Sequence, residues 1–173
     1  MNTEPSLEAD CDAAYDDERP VRGLMFFNTL DDVPVRELVT VEVGTPTLAA
    51  IDAMNARGVG YLLVVRGGKL AGIFTERDVL KRVVGKIDPA TVPVEDVMTP
   101  NPETLPRKAS IAFALNRMSV EGFRHIPLVD EAGRPTAVVA IRDVLNWLVD
   151  LFPERVINLP PSSGGFPRSA EGG

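Results

Sequence analysis

The chain has 173 residues, of which 45% are hydrophobic, so it is long enough to bury a substantial core. Its formal net charge is −7, and most of that charge lies in the first 20 residues, where seven acidic side chains stand against Arg19 alone. The rest of the chain is nearly neutral and offers no basic face, which excludes the usual electrostatic binding of nucleic acid.

Cysteine usage and hydropathy bear on location and chemistry. Cys11 is the sole cysteine, so the chain can build neither an intrachain disulfide nor a cysteine-based metal site. The sequence shows no basic start followed by an apolar core, and no run approaching the roughly 18 apolar residues of a membrane span. We therefore expect a cytoplasmic protein with no membrane contact.

Both ends of the chain have the composition of flexible tails. The acidic stretch from Met1 to Arg22 has few large apolar side chains and is predicted to be disordered. Residues 152–173 are rich in Pro, Gly and Ser and predict a second flexible tail. The apolar cluster Leu24–Phe27 is interpreted either as a lead-in segment packed against the core or as a contact with a second copy or a partner.

The first structural unit opens with a strand and a helix. Val35–Val43 predicts the strand. Thr45 and Pro46 predict a helix with a capping residue and a proline at its first position, and Gly58 ends it. The buried face of this helix has the i, i+3, i+4, i+7 spacing and consists of Thr47, Ala50, Ile51 and Met54.

A hairpin and a second helix complete this unit. The apolar runs Tyr61–Val65 and Leu70–Phe74 predict two strands, joined by a tight turn over Arg66–Lys69. The sequence then changes from apolar to polar, which predicts a helix from Glu76 to Val84. Residues 85–93 contain two prolines and a glycine and predict a linker.

The second unit follows the same steps. Val97–Pro100 opens it, and a short strand is predicted near Thr104. Ser110 is predicted to cap a helix that ends at Gly122. The buried face of this helix lies 64 positions after its counterpart and consists of Ile111, Ala114, Leu115 and Met118. The remaining predicted elements are the hairpin strands Ile126–Val129 and Thr136–Ala140 and a helix from Ile141 to about Leu151.

The transition from a buried strand to a helix start occurs twice. Gly72–Leu80 and Ala137–Leu145 each begin with an apolar run and end in Arg-Asp-Val-Leu. Their aspartates, Asp78 and Asp143, are 65 positions apart. This pattern indicates one unit used twice.

The sequence resembles the CBS domain family in its two units of strand, helix, hairpin and helix. Val97-Met98-Thr99-Pro100 and the stretch Arg124–Asp130 carry the resemblance, which covers about Val33 to Leu151. It implies an α+β fold in which two tandem CBS repeats, a Bateman module, pack with pseudo-two-fold symmetry. The predicted division is 1–22 acidic tail, 23–87 lead-in segment and first repeat, 88–151 linker and second repeat, and 152–173 flexible tail.

The resemblance implies a site for an adenine nucleotide, or a related adenosyl ligand, in the cleft between the repeats. An aspartate at the start of the helix would accept the two ribose hydroxyls, and a Thr or Ser three positions earlier would add a contact. Thr75 and Asp78 match this pattern in full. Asp143 matches, but Ala140 stands where the hydroxyl is expected, which weakens the second site.

The phosphate side shows the reverse asymmetry. Arg124 and His125 occupy positions that often meet phosphate in the family, whereas their counterparts Gly60 and Tyr61 carry no charge. The exposed N–H groups of a helix start favour an anion, so the adjacent cations, Arg77 and Arg142, are further candidates. The sequence predicts one dominant site or two unequal ones.

Structural roles compete with these assignments. Thr75-x-x-Asp78 is also a helix-capping arrangement, and the two roles can coexist. Asp143 has no Thr before it and is harder to explain as a capping box, which favours a ligand role there. His125, the only histidine, is either a satisfied structural residue or a phosphate contact. We find no metal-ligand set and no nucleophile with a base at readable spacing.

The sequence therefore favours a non-enzymatic regulatory module that binds AMP, ADP or ATP as a regulatory ligand, requires no cofactor and signals to a partner protein. The alternative is a scaffold whose cleft binds no nucleotide, which Ala140, Gly60 and Tyr61 favour; a small enzyme is a further alternative. The resemblance also implies a homodimer. The apolar side chains proposed for that pairing are Val79, Val83, Trp147 and Leu148, and Trp147 is equally interpreted as a core residue.

Overall fold

The computed structural model describes residues 27–36 and 38–151. The predictions for the acidic tail, for Leu24–Phe26 and for the tail from residue 152 onward lie outside the described residues. The strands are β1 Thr40–Glu42, β2 Tyr61–Arg66, β3 Lys69–Thr75, β4 Thr99–Pro100, β5 His125–Val129 and β6 Pro135–Ala140. The α-helices are α1 Thr47–Arg57, α2 Glu76–Asp78, α3 Ile111–Glu121 and α4 Ile141–Leu151, with a π-helical turn over Val79–Val83 and a 3₁₀ turn over Val94–Asp96.

The mixed α+β fold predicted from the sequence is confirmed, and the described residues form two sheets. The larger sheet has the order β1-β2-β3-β4, in which β1 runs parallel to β2 and the other neighbours are antiparallel. The smaller sheet is the β5–β6 hairpin, to which Leu105 adds a parallel bridge with Leu128. That bridge is the strand expected near Thr104, reduced to one residue pair.

The strand β4 opens the second repeat in sequence but completes the sheet of the first repeat in space. Ile73 pairs with Thr99 and Gly72 with Pro100. A Cβ on Gly72 would overlap the thioether of Met98, so a larger residue there would force Met98 to shift. The first repeat is therefore incomplete without a segment that follows it.

The lead-in segment makes the opposite exchange. The Leu30 N–H donates to the Ala109 carbonyl at 3.0 Å, and the Ile111 N–H donates to the Asn28 carbonyl at 3.2 Å. Leu30 and Val33 are buried in the core of the second repeat. The expected packing of the apolar cluster is wrong for its one described member, because Phe27 is 88% exposed.

Three groups of buried side chains form the core. One lies in each repeat, and α1 and α3 contribute matching residues, among them Ala50 and Met54 in the first and Ala114 and Met118 in the second. The third group lies between the two sheets and consists of Tyr61, Leu63, Ile73 and Val138. A hydrogen bond of 3.0 Å from the Leu70 N–H to the Gly133 carbonyl also joins the two hairpins.

Several helix ends agree with the sequence. Gly58 and Gly122 adopt left-handed conformations with φ of 59° and 71°, which close α1 and α3. The Ser110 hydroxyl accepts a hydrogen bond of 3.2 Å from the Phe113 N–H, as expected for a cap.

The predicted start of α1 is wrong by one residue. Pro46 is the capping residue and makes no side-chain cap bond, while the Thr45 hydroxyl donates back to the Glu42 carbonyl at 2.7 Å. The N–H and hydroxyl of Thr47 both donate to the Val92 carbonyl, at 2.9 and 2.8 Å. The end of the linker therefore supplies the capping that Thr45 was expected to provide.

Two other elements differ from their predicted form. The strand expected over Val35–Val43 is limited to β1, and the helix expected from Glu76 to Val84 is α-helical for one turn before it widens into the π-helical turn. Val83 is buried in the first core, so its prediction as a pairing surface is wrong. Trp147 and Leu148 are partly buried against the second core.

Candidate functional site

Asp78 is buried at the junction of β3 and α2. Its carboxylate accepts hydrogen bonds and its N–H donates one there, and both interactions cap the helix. Its Oδ2 accepts from the Thr75 N–H at 3.0 Å and from the Thr75 hydroxyl at 2.7 Å. The Asp78 N–H faces the Thr75 hydroxyl at 3.4 Å, which completes a capping box. The capping interpretation is therefore confirmed, and it occupies Oδ2.

The other oxygen of Asp78 is held only loosely. Its Oδ1 lies 3.5 Å from the Thr99 hydroxyl of β4 and 3.5 Å from Arg82 Nη1. Both separations are at the limit of a hydrogen bond or contact ion pair. The same Arg82 nitrogen also donates to the carbonyls of Val97 and Met98, so its interaction with the carboxylate is shared with two backbone acceptors.

Asp143 is buried at the equivalent junction of β6 and α4, but its two oxygens are engaged differently. Oδ2 accepts from the Ala140 N–H at 3.2 Å, so the backbone half of the capping box survives without a threonine. Without a hydroxyl at Ala140 the full capping box does not form, but Asp143 still has a structural role through this bond, which the sequence did not predict. Oδ1 accepts from Arg36 Nε at 2.8 Å.

Arg36 is a residue of this site that sequence reasoning missed. It lies 107 positions before Asp143, in the segment that leads into β1, and no spacing rule connects two such positions. The hydrogen bond to Asp143 raises the pKa of the Arg36 guanidinium above its ordinary value. Only the path of the lead-in segment across the second repeat brings the two together.

The starts of β2 and β5 meet at the junction between the repeats. The rings of Tyr61 and His125 lie 4.7 Å apart at an interplanar angle of 44°. The Tyr61 side chain is 2% exposed, and its hydroxyl has no hydrogen-bond partner among the described residues. Burial raises the pKa of the Tyr61 phenol, and the charge of Asp143 acts in the same direction.

The environment of His125 favours its neutral form. Burial lowers the pKa of the imidazole, and the positive charge of Arg124 lowers it further. The carboxylates of Asp143 and Glu76 oppose this shift, which places charges from both repeats around the ring.

In each repeat, one backbone hydrogen bond joins the start of the hairpin's first strand to the start of the helix that carries the aspartate. The Ile141 N–H donates to the Arg124 carbonyl at 3.0 Å, and the Glu76 N–H donates to the Gly60 carbonyl at 3.1 Å. The start of the strand and the start of the helix are therefore held side by side. Arg124 and His125 are therefore held beside the helix start that carries Asp143, whereas the corresponding strand start beside Asp78 is the uncharged pair Gly60 and Tyr61.

The three remaining predicted cations are on the surface. Arg77 and Arg142 each precede an aspartate at a helix start and are exposed, and Arg124 is exposed as well. Their side chains are accessible to an anion, while the two aspartates are each 7% exposed. Within the described part of the chain, no three His, Cys, Asp or Glu side chains are grouped closely enough to hold a metal ion.

No helix in residues 27–36 and 38–151 combines the length and the apolar character that crossing a bilayer requires.

Comparison with known proteins supports the resemblance seen in the sequence. The CBS domain family matches residues 30–85 and 94–150. CBS domain-containing protein CBSCBSPB3 of Arabidopsis thaliana is 31% identical over 116 residues, which make up 66% of this chain and 21% of that protein. This chain therefore spans about a fifth of the length of that relative.

Solved structures share the fold. A putative signal-transduction protein with CBS domains from Burkholderia ambifaria MC40-6 is 30% identical, with a TM-score of 0.61 over 73% of this chain and 92% of that one. CBS domain protein PAE2072 from Pyrobaculum aerophilum, solved in complex with AMP, is 20% identical, with a TM-score of 0.63 over 72% of this chain and 98% of that one. The chain therefore belongs to the CBS domain family and carries two CBS domains in tandem.

Proposed function

We propose that this chain is a regulatory module that binds an adenine nucleotide or a related adenosyl ligand in the cleft between its repeats and signals its binding state to a partner protein. The proposal depends on one observation, which is that only one of the two oxygens of the Asp78 carboxylate is firmly hydrogen-bonded. Oδ2 is fixed by the helix cap, while the contacts of Oδ1 are at 3.5 Å. A ribose hydroxyl that donates to Oδ1 would make a shorter, charge-assisted bond.

The ligand class rests on complementary chemistry at the two repeats. Thr75 and Thr99 place hydroxyls beside Asp78, which suits a ribose. Arg77, Arg124 and Arg142 are exposed cations that suit phosphate oxygens. The AMP complex of PAE2072 supports the choice of nucleotide, because that protein has the same fold.

Signalling would follow from differential affinity. A ligand that contacts both repeats favours whichever arrangement of them it fits better, and a partner that reads this arrangement responds to the ligand. Within this proposal the module is non-enzymatic and cytoplasmic.

A homodimer is part of the proposal. Exposed apolar side chains lie on the segment after β3 and on α4, and they are Leu80, Val84, Leu145 and Val149. Equilibrium sedimentation should give twice the chain mass of 18.7 kDa, and Leu80→Glu should lower that mass. A monomer for the wild type at all concentrations would contradict the dimer.

Thermal unfolding with AMP, ADP, ATP, S-adenosylmethionine and GTP tests ligand binding, with calorimetry on each compound that raises Tm. A ligand at about 100 times its Kd adds roughly 2.7 kcal/mol of stability. Asp78→Asn should abolish the shift while its amide oxygen still accepts the cap bond. Asp52→Asn, at an exposed position on α1, is the matched control. No shift with any compound at millimolar concentration would overturn the proposal.

The second candidate is a scaffold that binds no nucleotide. The observation that favours it is the ion pair between Arg36 and Asp143, which occupies one of the two aspartates. The uncharged Gly60 and Tyr61 beside Asp78 point the same way. This candidate predicts that no compound raises Tm in the unfolding experiment. It also predicts that the chain is dimeric and binds a partner protein without any nucleotide.

A further inference from the structure

In both aspartates Oδ2 accepts a hydrogen bond from the backbone at the helix start, whereas the contacts of Oδ1 differ between the two. In each, Oδ2 accepts from the backbone N–H three residues earlier, at 3.0 Å from Thr75 and 3.2 Å from Ala140. A ligand hydroxyl therefore has Oδ1 as its acceptor in both repeats. In the second repeat that oxygen already holds the Arg36 guanidinium at 2.8 Å.

Among the described residues, no cation approaches Asp78 Oδ1 as closely as Arg36 approaches Asp143 Oδ1. Arg82, the cation paired with Asp78 among the described residues, lies 3.5 Å from Oδ1, and the same nitrogen donates to the carbonyls of Val97 and Met98. Since a charge-assisted hydrogen bond is strong only near 2.7–2.9 Å, Arg82 competes weakly with a ligand. Arg36, at 2.8 Å from Asp143 Oδ1, forms a charge-assisted hydrogen bond of normal length and competes strongly with a ligand for that oxygen.

The burial of the two partners shows how the Arg36 pair can open. The Arg36 side chain is 42% exposed, whereas that of Asp143 is 7% exposed. Arg36 can therefore move into water and be hydrated there, whereas the buried Oδ1 of Asp143 would be left without a donor. A molecule that supplies two neighbouring hydroxyls replaces the lost donor.

We propose that Arg36 is a latch on the second half-site, so that the chain accepts one adenine nucleotide at Asp78 and a second at Asp143 only when Arg36 has left that carboxylate. This inference rests on the proposed function, because it takes the same ligand class. It makes Arg36 the residue that decides how many nucleotides the module binds and in which order.

The test isolates the second half-site in the Asp78→Asn background and measures AMP binding by calorimetry. Adding Arg36→Met removes the charge but keeps an apolar stem of similar length. Because the competing charge-assisted bond is lost, AMP affinity should rise about tenfold or more. The rise should disappear when Asp143→Asn is added.

A matched control tests whether loss of any ion pair changes AMP binding, and a second variant tests whether the effect depends on the methionine. Arg107 pairs with Asp31 through the same atoms at 2.9 Å, so Arg107→Met removes a comparable ion pair and should leave AMP binding unchanged. Arg36→Ala should reproduce Arg36→Met, and thermal unfolding establishes that each variant folds.

The outcomes separate this inference from the proposed function. If Arg36→Met leaves AMP affinity in the Asp78→Asn background unchanged, lowers it or produces no binding at all, the latch is overturned. The proposed function survives those outcomes if the wild type binds AMP and Asp78→Asn abolishes that binding. Two equal nucleotides per wild-type chain would also overturn the latch.

Discussion

Asp78 and Asp143 occupy equivalent positions in the two repeats, yet side chains around them make them chemically different. The Thr75 hydroxyl donates to Asp78 at 2.7 Å, whereas Ala140 leaves Asp143 with a backbone donor and Arg36. A single hydroxyl and a single guanidinium therefore distinguish two aspartates at equivalent positions of the fold.

The capping box at Thr75 predicts a measurable stability. Thr75→Ala should lower the free energy of unfolding by about 1 kcal/mol, because the Asp78 N–H and carboxylate lose their hydroxyl partner. Urea denaturation measures the change. Thr75→Ser keeps the hydroxyl and should retain most of the stability, so equal losses in the two variants would refute the capping explanation.

The orphaned hydroxyl of Tyr61 makes the opposite prediction. Tyr61→Phe removes a buried polar group without a protein partner in the described chain, and should raise the free energy of unfolding by about 1 kcal/mol. Tyr61→Leu, which also removes the ring packed against His125, should lower it. Both changes are measured by urea denaturation, and destabilisation by Tyr61→Phe would contradict the assignment.

At the scale of elements, the two repeats exchange segments. The lead-in residues Leu30 and Val33 fill the core of the second repeat, and β4 completes the sheet of the first. Loss of the lead-in segment would expose apolar surface of the second repeat, and loss of β4 would expose apolar surface of the first. The two units should therefore unfold in one transition.

The contact between β3 and β4 tests this exchange. Gly72→Ala should destabilise the chain by about 1–3 kcal/mol, because its Cβ would overlap the Met98 side chain at the strand pairing. Met98→Ala is destabilising by itself, but in the double variant the clash is absent. The two losses should add to more than the loss in the double variant, and strict additivity in urea denaturation would disprove the steric cause.

At the scale of the whole molecule, the junction between the repeats contains a titratable ring. His125 packs against Tyr61 of the other repeat, and its pKa is lowered first by burial and then by Arg124 and Arg36, against Asp143 and Glu76. Because the unfolded chain binds a proton more readily than the folded chain, acid favours unfolding here.

The resulting prediction concerns the pH range just below the ordinary pKa of histidine. Stability should fall as pH decreases from about 7.5 to 5.5, through the unfolded pKa near 6.5, and level off below the folded pKa. Urea denaturation of the wild type and His125→Asn at both pH values measures this, and the variant should show a smaller fall. The lowered pKa values of Glu103 and Asp130 act at lower pH. Equal slopes for the two proteins would rule out His125 as the cause.

The sequence by itself determined the repeated unit, its hairpins and its helix ends, because these depend on local features. Gly58 and Gly122 must adopt positive φ where a helix closes, and the alternation of apolar runs with turns specifies the hairpins. The candidate site was predictable for the same reason in Thr75 and Asp78, which lie three positions apart at one helix start.

Only the tertiary structure decided which segments complete which repeat and what occupies each aspartate. The 107 positions between Arg36 and Asp143 carry no periodic signal. Tyr61 and His125 occupy equivalent positions in the two repeats, but only the folded structure shows that their rings meet. Such contacts form because the chain must cover two apolar faces at once, and long-range packing rather than local preference selects the partners. The ion pair that distinguishes Asp143 from Asp78 is therefore a property of the folded molecule, whereas Ala140, Gly60 and Tyr61 already predicted unequal sites from the sequence.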